Sequence, residues 1–142
     1  MESSINIKQF AIVTLLVSIW VNASEVFRYF IIVMPKTRIY LAAISEVAPM
    51  DWGVFAIWGI WDTILTALIV FVFWIVSQNF GNNTRSILIA GTLCWALFFL
   101  LFWVGMVNMN LAQWSLALIA LPLAFLETVV ASFIASRLFA RS

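Results

Sequence analysis

Glu25, Arg28, Asp62 and Glu127 each stand deep inside an apolar run of this 142-residue sequence. Carboxylates in such surroundings can exchange a proton, take up a cation or pair with a base, and a guanidinium can neutralise one of them or hold an anion. The densest stretch is Asn22-Ala23-Ser24-Glu25-Val26-Phe27-Arg28-Tyr29, inside the apolar run 10–34. Glu25 and Arg28 are one helical turn apart and can pair along a single helix. Fully ionised, the three acids and one base sum to −2. A charge at mid-bilayer costs ~2.5–3.5 kcal/mol on the insertion scale. Arg28 keeps its proton and neutralises one carboxylate. The other acids must be protonated, bind a cation or meet water.

The rest of the composition narrows the chemistry. The chain is 65% hydrophobic and 9% charged, with a mean hydropathy of +1.13. Soluble domains carry about 25% charged residues, so most of this surface is expected to face a lipid bilayer. The formal charge of +1 gives no reason to expect nucleic-acid binding. A lone Cys94 rules out an intrachain disulfide framework and a cysteine metal site. The lack of His removes the commonest metal ligand and proton shuttle. Paired acids can do acid–base work, but no nucleophile, metal set or phosphate loop accompanies them. No catalytic residue, metal or cofactor is expected, and binding is favoured over catalysis. The N-terminal stretch lacks a basic n-region and a cleavage site, so the first helix is expected to be retained.

Four runs are long enough, at about 20 residues, to position these groups across a bilayer: 10–34, 52–76, 87–107 and 113–138. They predict an all-α fold, a single domain over 1–142, built as an integral-membrane four-helix bundle with short loops. The connections are 35–51, 77–86 and 108–112. The last is so short that helices three and four must be antiparallel neighbours, and 37–47 is compatible with a short interfacial helix. On helix one, Thr14, Ser18, Asn22, Glu25 and Tyr29 share a face, with Arg28 at its edge. On helix two, Gly59, Asp62 and Thr66 do so, bordered by Trp58. Helix three offers Thr92, Trp95, Phe99 and Met106 but no charge. On helix four, Glu127 lies in a stripe of Ala117, Ala120, Ala124, Ala131 and Ala135, small residues that let helices approach closely in lipid. Pro122 lacks an N–H, which frees the carbonyl of Leu118.

The candidate ligand- or proton-binding set is therefore Asn22, Glu25, Arg28, Asp62, Thr66 and Glu127. Arg28 is expected to pair with Glu25 or Asp62. Asp62 is expected to bond Asn22 or Thr66, and Glu127 to have no base of its own. This pattern fits a small membrane protein that binds or transports a small ligand, a proton or a cation, as a homo-oligomer or within a larger complex. The alternative is a non-catalytic accessory or assembly subunit of a larger membrane complex, its charges serving structure and docking. The localisation expected is the cell (inner or plasma) membrane. Lys8, Arg85, Arg137 and Arg141 flank one side and Lys36 and Arg38 the other, which places both termini in the cytoplasm. In a Cys94→Ala background, an impermeant thiol reagent added outside cells should label Lys36→Cys and spare Arg85→Cys; the reverse pattern overturns this topology.

Overall fold

The computed structural model describes residues 5–42 and 49–141, and among these the chain is helical, with no strand. Four helices are long and apolar enough to cross a membrane: α1 (Ile7–Leu41), α2 (Trp52–Phe80), α3 (Thr84–Asn108) and α4 (Trp114–Phe139). Their ends follow local chemistry. The side chains of Asn6, Asp51 and Asn83 accept from the backbone N–H three residues on and so start α1, α2 and α3. Gly81, at φ 79°, ends α2 in a backbone conformation that a side chain would oppose.

The helices run further than the apolar runs. Ser77 and Asn79 read as turn formers, but their side chains donate to the carbonyls of Trp74 and Ile75 on their own helix, at 2.7 and 2.9 Å. The connection expected over 77–86 shrinks accordingly. The first helix does not end before Pro35 either. It widens into a π-helical segment, Arg28–Val33, in which the N–H of Met34 bonds back to Tyr29, and then passes through Pro35 to Leu41. A wider turn displaces the carbonyl against which a proline ring clashes inside an α-helix. The Thr37 hydroxyl donates to the Val33 carbonyl at 2.8 Å just beyond. The interfacial helix expected over 37–47 is thus, as far as residue 41, a continuation of α1, and 43–48 lie outside the described residues. A second π-helical segment, Ala96–Leu100, interrupts α3.

Helices that follow one another in the chain pack side by side, α4 returns against α1, and α2 also touches α4 across the centre. The alanine face of α4 is what permits this. Ala117, Ala120, Ala124, Ala131 and Ala135 are all fully buried. Where α3 meets α4 the fit is closer still, because a Cβ on Gly91 would stand 2.8 Å from the Val129 Cα. Polar clasps hold the two ends. At one, Asn82 donates to the Ser136 carbonyl at 2.9 Å and accepts from its hydroxyl at 2.5 Å. At the other, the Tyr40 hydroxyl donates to the Asn110 carbonyl at 2.7 Å.

Gly91→Ala should therefore lower stability by ~1–3 kcal/mol, the range for overpacking a filled core. Gly105→Ala is the control, since nothing lies within 4 Å of the Cβ it would add, and should be neutral or stabilising. Unfolding of the purified protein in detergent measures both.

Candidate functional site

Trp20, Ser24 and Arg28 recur every four residues on α1, so they project from one face. All three donate to one residue of α4. Trp20 Nε1 reaches the backbone carbonyl of Glu127 at 3.1 Å. Ser24 Oγ donates to Glu127 Oε2 at 2.7 Å, and Arg28 Nη1 to the same oxygen at 3.1 Å. The other terminal nitrogen of Arg28, Nη2, pairs with Glu25 Oε1. The guanidinium carbon sits 4.8 Å from the centre of the Phe99 ring on α3, a cation–π contact that covers the charge without neutralising it. Arg28 is 4% exposed and Glu127 0%. Glu25 keeps 22% of its side chain exposed.

Of the two partners expected for Arg28, Glu25 is the one it pairs with. Its other contact is to Glu127 and not to Asp62, so Glu127, expected to lack a base, does have one. The faces drawn from the sequence were turned slightly. On α1 the buried positions are Val13, Thr14, Val17, Val21 and Arg28, so Arg28 stands at the centre of the inward face and Glu25 at its margin. Ser24 and Trp20 were not singled out, although the spacing Trp20-x3-Ser24-x3-Arg28 carries the signal. The two oxygens of Glu127 are treated unequally: Oε2 takes both donors, while Oε1 is buried with no hydrogen-bond partner among the described residues.

Asp62, on α2, is 6% exposed. It lies within electrostatic range of Glu25, Arg28 and Glu127, yet among the described residues no ion pair or hydrogen bond reaches its carboxylate. The partners expected for it are occupied on their own helices. Thr66 Oγ1 donates to the backbone carbonyl of Asp62 at 2.7 Å, and Asn22 Nδ2 to that of Ser18 at 2.8 Å. Asn22 does lie against α2, its Oδ1 4.0 Å from the Cβ position of Gly59. Trp58 and Trp61 point away from the cluster and are exposed, as is Thr92 on α3. Trp95 Nε1 bonds the Leu121 carbonyl at 2.9 Å, beside Pro122, in place of the freed acceptor expected at Leu118.

Comparison with protein-family models, with curated proteins and with solved structures finds no match. Function must be read from the cluster alone. Three charges form a connected set, Glu25–Arg28–Glu127, that ties α1 to α4. A fourth group, Asp62, adds an acid with no base left to meet it. The three acids do not converge as a metal-ligand set among the described residues.

Removing one partner of a buried ion pair strands the other, at a cost of ~3–5 kcal/mol. Glu127→Ala should lose about that much stability even though its neighbours on α4 are alanines, because Arg28 and Ser24 both lose their acceptor. Asp62→Asn breaks no hydrogen bond and should change stability by less than about 1 kcal/mol. Equal losses in the two variants would contradict the division between a structural set and a spare acid.

Proposed function

We propose that this chain is a multi-pass protein of the cell membrane, both termini cytoplasmic, that takes up and releases a proton at Asp62 in the course of moving or sensing a small solute. Four helices apolar enough to span a bilayer support the membrane setting. The positive flanks of the terminal side support the orientation. The proton reading rests on one observation: Asp62 is buried beside an ion cluster whose only cation already serves two carboxylates.

The charge sum supports this reading. Arg28 offsets Glu127, which has no access to water. Glu25 also meets Arg28, and part of its side chain is exposed. Among the described residues no donor or ion pair reaches the Asp62 carboxylate. As an anion in apolar surroundings it would carry a desolvation cost that Arg28, shared between two other carboxylates, offsets only in part, which supports a bound proton or small cation. Among the described residues no group of three acids is placed to share a metal ion, and the proton is the reading taken here. Arg28 and Ser24 then act as positioning groups that keep α1 and α4 in register beside it.

A second reading, an accessory subunit docked in a larger membrane complex, draws support from the exposed apolar stretch of α2 at Trp52, Ile57, Trp58, Ile60 and Trp61. That reading needs no exchangeable proton.

Infrared difference spectra separate the two. The wild-type protein should show a protonated carboxylic C=O band near neutral pH, lost in Asp62→Asn and kept in Glu25→Gln. A wild-type spectrum without the band would remove the proton reading.

A further inference from the structure

The bundle is packed unevenly about the level of the ion cluster. On the side of the chain termini, Val17, Val21, Ile69, Phe73, Cys94 and Ala131 are fully buried in one continuous core contributed by all four helices. On the other side, that of the α1–α2 and α3–α4 connections, packing is sparse. Residues 29–41 of α1, 51–61 at the start of α2 and 100–108 of α3 include no buried residue. There α4 keeps a buried face, at Leu116, Ala117, Ala120, Leu121 and Ala124, and just past the ion cluster Phe99 packs with Leu121 and Ala124 in a second, smaller core. Asp62 and Arg28 are the last buried residues of α2 and α1 before the packing loosens, and Phe99 is the last of α3.

The backbone changes character at the same level. The π-helical segments of α1 and α3 begin at Arg28 and at Ala96 and meet where Arg28 covers Phe99. Pro122 interrupts the hydrogen bonding of α4 near the indole of Trp95. Such interruptions are where helices bend. On α2, Gly59, one turn before Asp62, faces Asn22 of α1. A tightly packed half and a loosely packed half are thus joined through backbone that can flex, with the spare acid on the boundary. Regions with few buried contacts open at low free-energy cost, and a dense core does not.

We propose that Asp62 exchanges with the aqueous phase at the connection end only: the terminal-end core is a standing seal, and the loosely packed half is the gate. The gate rests on the reading of Asp62 as a proton site, but it concerns the direction of access and is tested without reference to protonation. Single cysteines are placed in a Cys94→Ala background at Asp62, at Asn22 and, within the seal, at Ile69. Intact cells and inverted membrane vesicles are treated with an impermeant, cationic methanethiosulfonate reagent, with Lys36→Cys and Arg85→Cys marking the two faces. The cysteines at 62 and 22 should react from the face that labels Lys36→Cys and not from the other, and the cysteine at 69 from neither. If Asp62→Cys does not accumulate in the membrane, Asn22→Cys carries the test. Labelling of either site cysteine from the terminal face overturns the gate. So does failure of both to react from either face, the result expected if a partner subunit covers the open half. The infrared band discriminates further: a band without labelling removes the gate alone, and labelling without a band removes the proton reading while the gate stands.

Discussion

One guanidinium serves two carboxylates where, among the described residues, no other base meets them. Arg28 reaches Glu25 on its own helix and Glu127 on α4, 99 residues away in the chain. That sharing sets how α1 and α4 lie against each other. The Trp20 and Ser24 bonds to Glu127 form only if the two helices hold one rotation and one height, and the alanine face of α4 brings the backbones close enough for a serine to reach. Buried ion pairs contribute little net stability compared with apolar packing. Their strength is specificity, because any slip of α1 along α4 would leave a buried carboxylate and a buried guanidinium without partners.

Much of the fold was legible in the sequence. Apolar runs of the right length marked four helices, and the alanine spacing marked α4 as a helix that its neighbours can approach closely. Glycine at 91 gave no such warning, because its role depends on Val129 across the interface. The helix ends were misread where polar residues satisfy themselves locally. Ser77 and Asn79 look like turn residues until their side chains are seen to bond back along α2. Pro35 looks like a stop until the wide turn before it makes room for its ring.

The members of the ion cluster were also legible, as residue types in the wrong solvent. The Glu25–Arg28 pair was legible too, from its spacing of one turn; the second partner of Arg28, Glu127 on α4, was not. A helical wheel fixes each side chain only to within a fraction of a turn, and Glu25, Ser24 and Arg28 all fall near the inward side of α1. The π-helical turn that begins at Arg28 shifts the register for everything after it, and a wheel drawn at a constant 100° per residue cannot carry that. Asn22 was credited with reaching Asp62 on the next helix, and Thr66 with reaching the Asp62 side chain; instead each hydrogen-bonds a backbone carbonyl one turn back on its own helix, that of Ser18 and that of Asp62. In a bilayer that is the nearest acceptor available to a short polar side chain.

The sharing of Arg28 has a consequence for how the protein is made. Chains emerge N-terminus first, so α1 is synthesised well before α4 exists. At that stage Arg28 has Glu25 one turn away, and the pair gives the first helix a net charge of zero at this level while it enters the bilayer. Glu127 has no such companion within its own helix. It must enter as a lone acid and finds its counter-ion only on reaching α1. The last helix is therefore the one with most to gain from docking, and its carboxylate makes arrival at the right neighbour the step that completes assembly.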